Sequence, residues 1–203
     1  MGGHQGVFLV IDGIDGSGKT THSKMLYDSL KKKGFDVEYT MEPSNGTVGR
    51  FIRSEVVSKK KLSPEVEALL FAADRFEHLK NEIIPWLDKG KVVVCDRYVY
   101  ASIVYQGVQN VDIKWIESLN HFALKPDLAI YLDVAPEIGL ERIKREKSIF
   151  ENLEFQKRIR KNYLNLVEKG RLTLVDSNKN IDEVNSEILA LTLQLVESKL
   201  KKD

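Results

Sequence analysis

The chain has 203 residues, 42% of them hydrophobic and 30% charged, which suffices to bury one full core. Basic and acidic residues nearly balance, and a net charge of +1 gives no basic field for nucleic acid or an anionic membrane. No apolar stretch approaches a membrane span, and the first residues lack a signal-peptide pattern. The single cysteine, Cys95, excludes an internal disulfide and favours a reducing, cytoplasmic setting.

Short apolar runs alternate with helical patterns along the whole chain. The candidate strands are Val7–Ile11, Val37–Thr40, Val92–Cys95, Leu128–Leu132 and Leu172–Val175. This alternation predicts an α/β fold in a single domain, residues 1–203, with a five-stranded parallel sheet and helices on both faces. Ligands of such sheets bind beyond the carboxyl ends of the strands.

Residues 13–20, with the sequence GIDGSGKT, fit the phosphate-binding pattern G-x-x-x-x-G-K-[ST]. They lie between the first strand and a helical pattern over residues 21–33, which is the context that this motif requires. The glycines allow a tight turn that brings backbone N–H groups to phosphate oxygens. Lys19 is expected to reach the β- and γ-phosphates of a nucleotide, and the Thr20 hydroxyl is expected to bind Mg²⁺.

A turn-rich loop, residues 42–47, follows the second strand. Arg50 and Arg53 come next and share one face of a short helix. They are either solvated surface arginines or a basic wall for an anionic substrate. Pro64 then starts a longer helix, in which Phe71 and Arg75 face the same way. In one interpretation, Phe71 is a core residue and Arg75 pairs with a carboxylate. In the other, the two side chains stack on and hydrogen-bond a planar base.

The third strand ends in Asp96 and Arg97. A carboxylate at this strand end, beside a phosphate loop, suits a Mg²⁺ site, and Arg97 could clamp a phosphate. The structural alternative is an Asp–Arg pair at the strand end. Later in the chain, residues 142–147 carry a run of charges, which is either a solvated face or a mobile lid over phosphates.

Together these motifs resemble the thymidylate kinases, in the P-loop group of nucleoside-monophosphate kinases. The matching stretches are Val10 to Thr21, Thr40 to Pro43, Leu70 to Arg75, Asp96 to Tyr98, Tyr105-Gln106, Lys125 to Leu128, Phe150-Glu151 and Val175-Asp176. They span nearly the whole chain in the family's order. The aromatic–arginine helix followed by Asp-Arg-Tyr and Tyr-Gln is much more specific than the phosphate loop.

The resemblance implies a P-loop NTPase fold with a short lid at about 142–151, and ATP and Mg²⁺ as cofactors. The residues that it implies for ATP are Gly13, Asp15, Gly16, Ser17, Gly18, Lys19, Thr20, Thr21 and Arg142. Those for dTMP, within about 41–80 and 96–106, are Asp15, Glu42, Pro43, Arg53, Phe71, Arg75, Arg97, Ser102, Tyr105 and Gln106. Thr20 and Asp96 would hold Mg²⁺, and the catalytic set would be Lys19, Asp15, Arg97 and Arg145. The family also implies a homodimer.

The chain departs from the family's pattern at several positions. Asp12 stands where Glu is frequent, and Met41 where Arg is frequent. Gly16 occupies a position at which one branch of the family carries a catalytic Arg, so the cation is expected from the lid. The lid lacks the usual Asp, and the choice among Lys144, Arg145 and Lys147 stays open, with Arg145 as the named candidate.

The resemblance implies the ATP- and Mg²⁺-dependent phosphorylation of dTMP to dTDP. Three other functions stay open at this point. The acceptor could be another nucleoside monophosphate or a deoxynucleoside. The protein could be a GTP-dependent switch, although Asn178-Lys179-Asn180-Ile181 lacks the Asp of the guanine-specific N-K-x-D element. It could also be an ATP-binding module without turnover.

Overall fold

The computed structural model describes residues 4–56, 62–143 and 152–200. Five parallel strands form one sheet in the order β2-β3-β1-β4-β5. The strands are β1 (Val7–Gly13), β2 (Val37–Met41), β3 (Val92–Asp96), β4 (Leu128–Asp133) and β5 (Thr173–Asp176). All five predicted strands and their parallel arrangement are therefore confirmed, and each bound differs by at most two residues.

Nine α-helices lie in the described ranges. They are α1 (Lys19–Lys32), α2 (Thr47–Phe51), α3 (Pro64–His78), α4 (Ile84–Asp88), α5 (Val99–Val108), α6 (Ile113–Leu119), α7 (Pro136–Arg142), α8 (Leu153–Glu168) and α9 (Ile181–Leu200). Single π-helical turns, Ile52–Val56 and Leu79–Ile83, extend α2 and α3. Helix α6 ends at Leu119, where the side-chain amide of Asn120 donates a hydrogen bond to the carbonyl oxygen of Ile116.

The central strand β1 is buried on both sides, and its alternate residues feed two separate cores. Val7, Leu9 and Ile11 pack with apolar residues of α1 and α9. Phe8 and Val10 pack on the opposite face with α5, α8 and the end of the α3 segment. The unbroken apolar run of β1 follows from this two-sided burial.

Several helix starts have local caps that the sequence specifies. Ser63 accepts from the Val66 amide at 3.4 Å, Asp112 from Lys114 at 2.8 Å, and Asn152 from Phe155 at 2.8 Å. Such side-chain oxygens satisfy amides that the first helical turn leaves without partners. Within the described ranges, no helix is both long and apolar enough to cross a membrane.

Candidate active site

The phosphate loop leaves β1 at Gly13 and enters α1 at Lys19. Gly16 and Gly18 have φ values of 76° and 88°, a region that favours glycine. A Cβ built on Gly16 would lie 1.9 Å from the carbonyl oxygen of Gly139 in α7. Gly16 therefore permits both the turn and the close approach of α7, and an arginine at this position would require α7 to move.

Lys19 lies almost wholly buried inside the loop. Its Nζ donates a hydrogen bond of 2.6 Å to the carbonyl oxygen of Ile14. Burial, with a smaller effect of Arg97, lowers the pKa of Lys19 to about 8. The ammonium is thus held within the turn that the motif assigns to phosphates.

Asp96 meets the start of α1 at the carboxyl end of β3. The Thr20 hydroxyl donates to Asp96 Oδ2 at 2.5 Å, while Asp96 Oδ1 is buried without a partner. The parallel register that pairs Ile11 with Asp96 brings these two residues together. A hydroxyl and a carboxylate with an unused buried oxygen fit the oxygen ligands that Mg²⁺ prefers. Among the described residues there is no cluster of three or more His, Cys, Asp or Glu for a metal, so a cation here needs further ligands from a nucleotide or water.

Asp15 is the polar centre of the site. Its carboxylate accepts from Arg97 at 2.5 Å, from the Tyr105 hydroxyl at 3.1 Å and from the Gln156 amide at 3.0 Å. The amide oxygen of Gln156 in turn accepts the backbone N–H of Asp15 at 3.2 Å. Burial acts to raise the pKa of Asp15, but the charges of Arg97 and Lys19 outweigh it and lower the pKa below its usual value. Asp15 is therefore ionised and fixed from three sides.

Arg97 is held in an uncommon backbone conformation, with φ at 69°. Its N–H donates to the carbonyl oxygen of Ile11 at 3.0 Å, which fastens the residue to the end of β1. The guanidinium lies 5.4 Å from the ring centre of Tyr105. The structural alternative, a strand-end pair of Asp96 with Arg97, does not form, because Asp96 bonds Thr20 and Arg97 bonds Asp15.

Arg75 lies at the other end of the site and is 1% exposed. It pairs with Glu42 at 2.7 Å, donates to Asn120 and Ser102, and stacks 5.4 Å above the ring of Tyr98. The expectation of a carboxylate partner is confirmed. Phe71 is half-buried and belongs to neither core cluster, so the expectation that it is a core residue is wrong.

The two arginines after β2 brace the loop that precedes them. Arg53 donates to the carbonyl oxygen of Pro43 and to Asn45 Oδ1. Arg50 donates to the carbonyl oxygen of Asn45 at 2.6 Å. The peptide bond between Glu42 and Pro43 is cis. The loop after β2, with Glu42 and Pro43 at its start, is thus fixed in place by hydrogen bonds from Arg53.

The lid region is described only at its start. Arg142 ends α7 and donates to the carbonyl oxygen of Ser177 at 3.2 Å. Ser177 bonds the carbonyl oxygen of Ser17 at 2.8 Å, which links Arg142 to the phosphate loop. The predicted lid residues Lys144, Arg145, Lys147, Phe150 and Glu151 lie outside the described residues. Thr21 is exposed on the first turn of α1.

Sequence reasoning missed four residues of this region. Gln156 fixes Asp15, Asn120 contacts Arg75, and Tyr163 donates to the buried Asp12 at 2.7 Å. Glu67 is buried beside Gln106 and Gln109. Gln156 had a signal in the sequence, because it is a polar residue on the apolar face that Ile159, Tyr163 and Leu166 give to α8.

A phosphate loop between β1 and α1, at the carboxyl edge of a parallel sheet, defines a P-loop nucleotide-binding fold. A family model described as thymidylate kinase matches residues 11–188. A probable thymidylate kinase of Staphylothermus marinus is 43% identical over 197 residues, 96% of this chain and 98% of the relative.

Two further relatives carry the same description. The protein of Pyrococcus horikoshii is 43% identical over 92% of this chain and 96% of its own length. That of Methanocaldococcus jannaschii is 45% identical over 90% of this chain and 94% of its own. The chain belongs to the thymidylate kinase family.

Proposed function

We propose that the protein transfers the γ-phosphoryl group of ATP to dTMP in the presence of Mg²⁺, giving dTDP and ADP. The observation that carries the proposal is the Asp15–Arg97 pair: Asp15 lies in the phosphate loop and accepts from Tyr105, which is one turn along α5 from Ser102, the residue that Arg75 bonds in the proposed acceptor pocket. A donor nucleotide on the loop and an acceptor in the pocket would therefore meet at Arg97. The description of the relatives as probable thymidylate kinases supports the choice of dTMP.

At the phosphate end, the loop residues Gly13 to Thr21 would hold the phosphates of ATP. Lys19 would exchange its bond to Ile14 for the β- and γ-phosphates. Thr20 and Asp96 would hold Mg²⁺, which supplies positive charge against the phosphate oxygens. Most of the catalysis is then positioning and neutralisation of charge.

At the acceptor, Arg97 would bind the phosphate of dTMP, with Arg53 as a second cation. Asp15 would face the 3′-hydroxyl of the sugar, and Tyr105, bonded to Asp15, would lie against the sugar edge and disfavour a 2′-hydroxyl. No general base is needed, because a phosphate monoester is largely ionised near neutral pH. A deoxynucleoside acceptor would need one, and the cations Arg97 and Arg53 favour a phosphate.

The base would lie in the pocket that Phe71, Arg75, Ser102 and Gln106 line, with Glu42 and Pro43 at the strand end. Phe71 would stack on the ring, and Arg75 would hydrogen-bond it. From the lid, Arg142 would stack on adenine, and Arg145 would bring a cation to the transferring phosphate.

We also propose a cytoplasmic homodimer. Val66, Leu69 and Phe76 expose 41%, 48% and 53% of their surface on one stripe of α3, and Phe76 lies edge-to-face with Phe122 at 5.1 Å. A second copy would cover this stripe. Light scattering should give twice the chain mass for the protein and half that mass for Leu69→Asp/Phe76→Asp. Ile181→Asp, on α9, is the control that should stay dimeric.

The function is tested by ADP release from ATP and Mg²⁺ in a coupled dehydrogenase assay. The acceptors are dTMP, dUMP, UMP, CMP, AMP, GMP and thymidine. A strong preference for dTMP supports the proposal, and preference for another monophosphate reassigns Phe71, Ser102 and Tyr105. If no acceptor raises ADP release from a folded, ATP-binding sample, the kinase function is wrong and a switch or binding module takes its place.

A further inference from the structure

Helices α3 and α5 pack against each other and present two polar contacts on either side of Phe71. Glu67, Phe71 and Arg75 follow one another at intervals of four residues, so they share one face of α3. Ser102 and Gln106 are four apart on α5. Arg75 contacts Ser102, and Glu67 contacts Gln106 one turn away.

The first contact is centred on Arg75 and presents a hydrogen-bond donor. Nε bonds Glu42, one terminal nitrogen bonds both Glu42 and Ser102, and the other bonds Asn120. A guanidinium has five N–H bonds, so the nitrogen facing Asn120 keeps one N–H for a ligand. The Asn120 amide donates to the carbonyl oxygen of Ile116 at 2.8 Å, which fixes its oxygen toward Arg75.

The second contact is centred on Glu67, a carboxylate that is only 3% exposed. Gln109 donates to it at 3.4 Å, and the side chain of Gln106 also hydrogen-bonds it. Burial raises the pKa of Glu67, and these two hydrogen bonds act against that shift. Because Gln106 Oε1 has no hydrogen-bond partner, the group of Gln106 that contacts Glu67 is its NH₂, which donates to a carboxylate oxygen.

The remaining atom of that amide, Gln106 Oε1, is buried and has no hydrogen-bond partner. An unpaired buried acceptor is costly, and such atoms in native proteins call for an explanation. A ligand N–H between the two helices would satisfy it. The two contacts therefore offer one donor, at Arg75, and one acceptor, at Gln106.

We propose that Glu67 is a positioning residue that fixes Gln106 as an acceptor, so that the pocket selects a pyrimidine with a C4 carbonyl and an N3–H over an aminopyrimidine. Thymine and uracil present that pair of groups. Cytosine presents an amino donor at C4 and a bare N3, which opposes both contacts. This inference rests on the proposed function, because it assigns the specificity of the same site.

The test compares kcat/KM for dTMP, dUMP and dCMP with ATP in the full-length protein and in Glu67→Gln. The substituted amide can donate as well as accept, so either the NH₂ or the oxygen of the Gln106 side chain can face it. The ratio of kcat/KM for dTMP to that for dCMP is expected to fall about tenfold, the scale of one lost hydrogen bond to a buried group. Glu65→Gln, at an exposed position of the same helix, should leave the ratio unchanged.

A second variant, Gln106→Met, removes the acceptor while keeping the length of the side chain. It should lower the same ratio, and Glu67→Gln added to it should lower the ratio no further, because the two residues act as one unit. An unchanged ratio in folded Glu67→Gln, or an equal loss for all three acceptors, overturns the inference. If the unmodified protein does not phosphorylate dTMP at all, the proposed function itself fails, which is a distinct outcome.

Discussion

The two ends of the site are built in different ways. The phosphate end comes mostly from one continuous stretch, residues 13–20, whose glycines and Lys19 form a turn largely by themselves. The base end brings Glu42 from the end of β2, Arg75 from α3, Ser102 from α5 and Asn120 from beyond α6. Phosphate is bound by backbone N–H groups and one charge, which a local turn can supply. A base edge is read by side-chain donors and acceptors, whose orientation depends on neighbours far away in the chain.

The largest expected effect is at the phosphate end. Lys19→Ala should lower kcat at least ~100-fold, on the scale of losing one preorganised electrostatic stabiliser. Steady-state assays with saturating dTMP check this, and Lys24→Ala, exposed on the same helix, is the control. A folded Lys19→Ala protein with most of its activity would remove Lys19 from catalysis.

At the base end, Arg75→Ala should raise the KM for dTMP roughly 10- to 100-fold, because hydrogen bonds to a charged group are lost. The KM for ATP should change little. Arg75→Ala leaves the buried carboxylate of Glu42 without its partner. The double variant Arg75→Ala/Glu42→Gln removes that unpaired charge and serves as the second test. Equal changes in both Michaelis constants would show that the two ends are not separate.

Asp96 belongs to the phosphate end but comes from β3. Asp96→Asn should raise the Mg²⁺ concentration for half-maximal activity about tenfold, as expected when an outer ligand of a metal is lost. Mg²⁺ titration at fixed ATP measures this, with Asp88→Asn, exposed on α4, as the control. An unchanged Mg²⁺ dependence would leave the Thr20–Asp96 contact as a purely structural one.

The pKa of about 8 at Lys19 predicts a pH dependence confined to the phosphate end. Lys19 is mostly protonated at pH 7 and mostly neutral at pH 9, so the affinity for an ATP analogue should fall by up to about tenfold over that range. Calorimetry measures the affinity. Lys19→Ala should bind weakly at both pH values, and tighter binding of the analogue to the unmodified protein at pH 9 would contradict the prediction.

The smallest expected effect concerns Asp12, which is buried behind the phosphate loop and bonded by Tyr163. Burial raises its pKa, so the folded protein binds more protons than the unfolded chain between the usual and the raised value. The free energy of unfolding therefore falls as the pH rises through the raised pKa. Asp12→Asn should lack this loss. Its free energy of unfolding in urea, relative to that of the unmodified protein, should therefore be higher at pH 8 than at pH 5. The reverse order would mean that the charges of Arg97 and Lys19, which lower the pKa of Asp12, outweigh the effect of burial.

The sequence alone was sufficient for the fold and for one end of the site. Unbroken apolar runs such as Val7 to Ile11 mark buried parallel strands, because both faces of such strands are covered. The alternation with helical patterns then leaves few topologies. The pairing of Asp15 with Arg97 needed the tertiary structure, since these residues come from different strand ends that meet only in the sheet.

The motif at residues 13–20 determined its own conformation, because glycines and short-range hydrogen bonds decide a turn locally. The tertiary structure alone decided that Asp96 turns to Thr20, that Arg75 pairs with Glu42, and that Gln156, Asn120 and Glu67 belong to the site at all. The physical reason is that a buried polar group must find its partner wherever the fold places one, and that partner has no fixed spacing along the chain.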